Sequence, residues 1–65
     1  MNFYISAEGC ESISGATGTA VPIPRVGETV VMRNKRTGQL CDAVVELVSY
    51  DFFRQTVEIR CARCY

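Results

Sequence analysis

Sixty-five residues make one domain, residues 1–65, with room for a single small core. Seven Lys plus Arg balance seven Asp plus Glu, so the composition lacks the basic excess by which nucleic-acid and anionic-membrane binders draw in phosphates. Histidine, the commonest general base, is absent, and no stretch approaches the ~20 apolar residues of a membrane span.

In chain order, Asn2 to Ser6 is predicted as the first strand, with Phe3 and Ile5 on one face and Tyr4 on the other. Residues 7–21 lose periodicity, and Gly9, Gly15 and Gly18 among Ser, Thr and Ala predict a long loop. Glu28 to Asn34 is the second strand, with Val30 and Met32 facing one way and Val31 and Arg33 the other. Asn34 to Gly38 is a five-residue turn in which Gly38 takes a positive φ.

The third strand runs from Gln39 to Tyr50. Val44, Val45, Leu47 and Val48 break strict alternation, which fits either a strand buried on both faces or a bulge near Glu46; the bulge is favoured, because closing a small barrel requires one strand to bend sharply. A helix over residues 42–50 would suit the spacing of Ala43, Leu47 and Tyr50, but the β-branched valines weigh against it. After a turn from Asp51 to Gln55, Thr56 to Cys61 alternates cleanly: Val57, Ile59 and Cys61 inward, Thr56, Glu58 and Arg60 to solvent.

Few motifs carry chemistry. Ser14 to Gly18 contains the Gly-Ala-Thr-Gly turn of dinucleotide-binding enzymes, but Pro22 and Pro24 forbid the helix such a turn must open. Glu8, Glu11, Glu28, Asp42, Glu46, Asp51 and Glu58 form no recognisable acid–base dyad.

The four cysteines need separate treatment. Met1 to Ala7 lacks the basic start and long apolar run of a signal peptide, so the expected compartment is the cytoplasm, where thiols stay reduced. An all-cysteine zinc site would need Cys10, Cys41, Cys61 and Cys64 together, yet only Cys61 and Cys64 are closely spaced. No metal or other cofactor is therefore assigned. Cys41 and Cys61 are read as small core hydrophobes, and Cys10 and Cys64 as incidental surface thiols.

Two surfaces compete for a binding role. Tyr50, Phe52 and Phe53 cluster at a strand end, and the neighbours Phe52 and Phe53 cannot both enter one core. Aromatics of this kind are enriched at interface centres. Arg33, Lys35 and Arg36 surround the first hairpin turn and Arg60 lies near the C-terminus, an arrangement that could grip single-stranded nucleic acid beside aromatics.

The opening Pro24 to Val30, Pro-Arg-Val-Gly-Glu-Thr-Val, followed by two valine-rich strands, resembles the small SH3-like barrels of phages and other mobile genetic elements. The resemblance spans residues 22–61. It implies an all-β fold, a small and strongly bent antiparallel barrel of four or five strands, acting as a compact interaction module that is often oligomeric. Val57 to Arg60 is similar to the Val-Gln-Ile-Tyr strand of plasmid-type dihydrofolate reductases. Glu58 and Arg60 stand where that family has Gln and Tyr, so no enzyme is read here. The expected function is a homo-oligomeric protein-interaction module with a protein partner, and the alternative is a nucleic-acid-binding barrel.

Overall fold

A computed structural model describes residues 1–16 and 23–63. Their secondary structure is all strand: β1 (Asn2–Ala7), β2 (Ile13–Ala16), β3 (Thr29–Arg33), β4 (Leu40–Asp51) and β5 (Thr56–Cys61). They form one sheet in the order β2-β1-β5-β4-β3, curled into a half-barrel.

The curl comes from β4. Its first residues, Leu40 to Val44, pair with β3, and its second half pairs with β5. Val45 lies opposite Cys61 and Leu47 opposite Arg60, so Glu46 is the extra residue of a bulge between the two ladders. An extra residue bends a strand and increases its twist. One 12-residue strand therefore serves both halves of the sheet.

Alternation puts the apolar side chains on the inside of the bend. Ile5, Ile59 and Val48 are register neighbours across β1, β5 and β4, and Ile13 extends the row onto β2. Phe3, Val57 and Tyr50 form the next row, and Ala7, Cys61 and Val45 the one on the other side. Met32 and Ala43 fold over these rows from the β3–β4 half. Among the described residues the buried set is small: Ile5, Cys10, Met32, Ala43, Val45, Val57, Ile59 and Cys61. Such a core supplies on the order of 3–5 kcal/mol.

The Gly9–Glu11 turn is tied to the start of the β3–β4 hairpin, which closes one end of the half-barrel. Cys10 and Asn34 form an isolated bridge. The Glu11 amide donates to the Arg33 carbonyl at 2.9 Å, and the Lys35 amide donates to the Gly9 carbonyl at 3.0 Å. The Arg33–Glu11 ion pair at 3.4 Å lies over this seam, and its exposure makes its contribution small. The hairpin turn itself is built by Asn34, whose side-chain oxygen accepts from the amides of Arg36 and Thr37, with Gly38 at φ 74°.

Two expectations are corrected. The sheet is mixed rather than antiparallel, because β1 runs parallel to β5 between Asn2–Thr56 and Ala7–Cys61. The segment read as one long loop contains the edge strand β2, and residues 17–21 of it lie outside the described residues. β2 holds because Phe3 lays its ring over Gly15. A Cβ built at Gly15 would come within 2.9 Å of Phe3 Cε1 and Cζ, so the glycine gives the aromatic its place. The bulge, the Gly38 turn and the facing of β1, β3 and β5 match the sequence reading.

Candidate functional site

The aromatic cluster stands at the open end of the half-barrel. Tyr50 is the last inward-facing residue of β4, opposite Val57. Directly after it, the Asp51 side-chain oxygen accepts from the amides of Phe53 at 3.0 Å and Arg54 at 3.1 Å. This tight turn, closed by Gln55 in the left-handed region at φ 56°, turns both phenylalanines out of the core.

Phe52 stacks on Tyr50, with ring centroids 6.2 Å apart and planes 16° from parallel. Phe52 is still 73% exposed, and Phe53 is as open as in an extended peptide, at 103%. Tyr50 and Val48 also wall a cleft whose far side is Ile23, Pro24 and Val26. The proline-rich stretch thus adds an apolar flank to the aromatics that local pattern alone did not connect to them. Both phenylalanines are exposed, where the sequence reading required one.

The basic residues of the alternative reading are only partly gathered. Arg33 is bound to Glu11, and it also donates to the Gly38 carbonyl. Lys35 and Arg60 do meet along one cleft, joined by Arg63, and Arg36 lies on its hairpin side. Glu8 and Glu46 line the same cleft, so it has no single-sign field.

The floor of that cleft holds two thiols the sequence did not bring together. Cys10 and Cys61 are free and buried, at 3% and 4% exposure. Cys10 is thus no surface thiol, because the bridge to Asn34 pulls it under the seam. Cys41 is half-buried and disulfide-bonded, which corrects the expectation of a reduced core thiol. Cys64 lies outside the described residues. Among the described residues no three His, Cys, Asp or Glu gather as a metal-ligand group, and no helix is long and apolar enough to cross a membrane.

Burial pushes the Cys61 thiol above its ordinary value of 9.0, and the neighbouring Cys10 and Glu46 act in the same direction. This makes folding pH-dependent with a definite sign. Below the ordinary value the thiol keeps its proton folded or unfolded. Above it the unfolded chain releases the proton first, so the folded state holds more protons and stability falls as pH rises. Urea midpoints taken on either side of pH 9.0 are expected to show that decline, and Cys61→Ala is expected to make it shallower.

No protein-family model matches the chain, and no curated protein or solved structure matches it.

Proposed function

We propose that the chain is a small protein-interaction module that self-associates through the aromatic tip, Tyr50, Phe52 and Phe53. The observation that carries this reading is the full exposure of Phe53 beside the Tyr50–Phe52 stack. A turn ordered by Asp51 holds these rings at the surface, which is costly for a lone molecule and useful for a contact. The small core supports the same reading, since domains of this size are commonly completed by another subunit. The resemblance to the small barrels of mobile genetic elements supports it too, because those are compact interaction modules.

Light scattering on the purified chain is expected to give the mass of an oligomer. The double variant Phe52→Ser/Phe53→Ser is expected to give the mass of one chain, with an unchanged far-ultraviolet circular dichroism spectrum. An unchanged mass would remove the tip as the contact. The cleft of Lys35, Arg60 and Arg63 favours a second reading, nucleic-acid binding. Its mark would be oligonucleotide binding that weakens steeply with salt.

A further inference from the structure

We propose that copies of this chain pair edge to edge through β3, as antiparallel strands related by a two-fold axis at Val30. Backbone alternation fixes which groups the edge offers. Along β3 the even-numbered residues bond to β4: the Glu28 carbonyl accepts from the Val45 amide, and the Asn34 amide donates to the Gln39 carbonyl, both at 2.8 Å. The odd-numbered residues face away, since the Arg33 carbonyl accepts from Glu11 and the Lys35 amide donates to Gly9. The Val44 carbonyl, opposite Thr29, accepts from Ala62 and so points away from β3 as well. The N–H and C=O groups of Thr29 and Val31 therefore line the outer edge, and none of the described residues bonds to them.

Those four groups answer each other across the axis. With Val30 opposite the partner's Val30, Thr29 lies opposite the partner's Val31, and Val31 opposite the partner's Thr29. Each facing pair exchanges both N–H···O=C bonds, so the same patch on the two copies satisfies itself. The register stops short of the Arg33 carbonyl, which stays with Glu11. Charge selects the direction. Glu28 precedes the strand and Arg33 ends it, both exposed, so antiparallel pairing sets each end beside the partner's opposite charge, and parallel pairing would set like beside like. Arg33 already shares Glu11, so this contribution sets direction more than strength.

The edge is also unguarded. Thr29 to Met32 contains no proline and no charge, and Val31 is exposed beside Leu40 and Val44 on the same outer face. The opposite edge, β2, is blunted by being only four residues long. Backbone bonds between two short strands do not by themselves hold free chains together against the cost of association. The pairing therefore rests on the self-association proposed above, which raises the local concentration of one edge near another. The two contacts use different surfaces, because β3 lies against the first half of β4 and the aromatic tip follows its end.

The test combines light scattering with amide hydrogen exchange read by NMR, on wild-type protein and on Phe52→Ser/Phe53→Ser. The Thr29 and Val31 amides are expected to exchange on the order of tenfold or more slowly in the wild-type oligomer than in the single-chain tip variant. Val31→Pro removes an outward N–H and no bond to β4, so it is expected to keep its strand content and to run at half the wild-type mass or less. Val31→Lys keeps the backbone donor, sets two like charges near the axis, and is expected to lower the mass in the same way. Fast Thr29 and Val31 amides in a wild-type oligomer would overturn edge pairing and leave the tip contact standing. So would an unchanged mass in both Val31 variants, or slow amides in a tip variant that runs as one chain. A tip variant that keeps its oligomeric mass, while Val31→Lys still lowers it, would support the edge and remove the tip. A single-chain mass for wild type would remove both.

Discussion

Ile59→Ala is expected to leave the protein largely unfolded at room temperature. Ile59 is 1% exposed at the middle of β5, with Ile5 on one side and Val48 on the other. Removing a buried isoleucine side chain to alanine costs about 2–5 kcal/mol, the upper end where the surroundings cannot collapse. Here they cannot collapse easily, because both neighbours are fixed on hydrogen-bonded strands. Against this, natural domains hold about 0.05–0.15 kcal/mol per residue, or roughly 3–10 kcal/mol for a chain of this length. The substitution therefore takes a large share of the total. A urea titration followed by circular dichroism, at one fixed protein concentration because association adds to stability, should show the midpoint falling to near zero denaturant. A midpoint within a few tenths molar of wild type would mean that the inner row is not the core.

The second large effect concerns shape more than burial. Deleting Glu46 leaves the inward and outward pattern of β4 intact, since Val45, Leu47 and Val48 then alternate in, out and in. What disappears is the bend. The β3–β4 half would project outward from β5 instead of folding over it, and Met32 and Ala43 would leave the core they now cap. The Gly9–Glu11 turn would no longer meet Arg33 and Lys35, so Cys10 would lose its cover. The expected result is strand content retained by circular dichroism, with Cys10 alkylated quickly under native conditions where wild type is slow. Continued protection of Cys10 in the deletion variant would mean that the bulge does not set the curl.

Much of this bend was legible in advance, and the reason is local. The broken alternation from Val44 to Val48 marks the bulge, Gly38 marks the tight turn, and the strict period from Thr56 to Cys61 marks a half-buried strand. Each signal lies within a few residues. The missed features are non-local. β2 offers only Ile13 as a large apolar residue and depends on Phe3 covering Gly15, a partner in another strand. The parallel match of β1 to β5 leaves no trace in either strand's own pattern, which would suit either direction equally. The candidate sites divide the same way. Exposure of one phenylalanine follows from the adjacency of Phe52 and Phe53, while exposure of both depends on the Asp51 turn. The 3.8 Å approach of Cys10 Sγ to Cys41 Sγ needs two separate turns to converge, and the spacing of cysteines in the chain contains nothing of that.

The parallel pairing has a consequence for how the molecule comes into being. The strand pair at the centre of the sheet joins the first strand to the last: Asn2 waits for Thr56, and Ala7 for Cys61. A growing polypeptide leaving the ribosome cannot assemble this centre piecemeal, because β1 must wait until Thr56 to Cys61 has been synthesised. Ordering most of the chain must come before the reward of its middle contacts, which places assembly among the slow topologies. During that interval the newborn β1 presents Phe3, Tyr4 and Ile5 with one flank open, the moment at which a chaperone or a neighbouring nascent chain has its best chance to engage it.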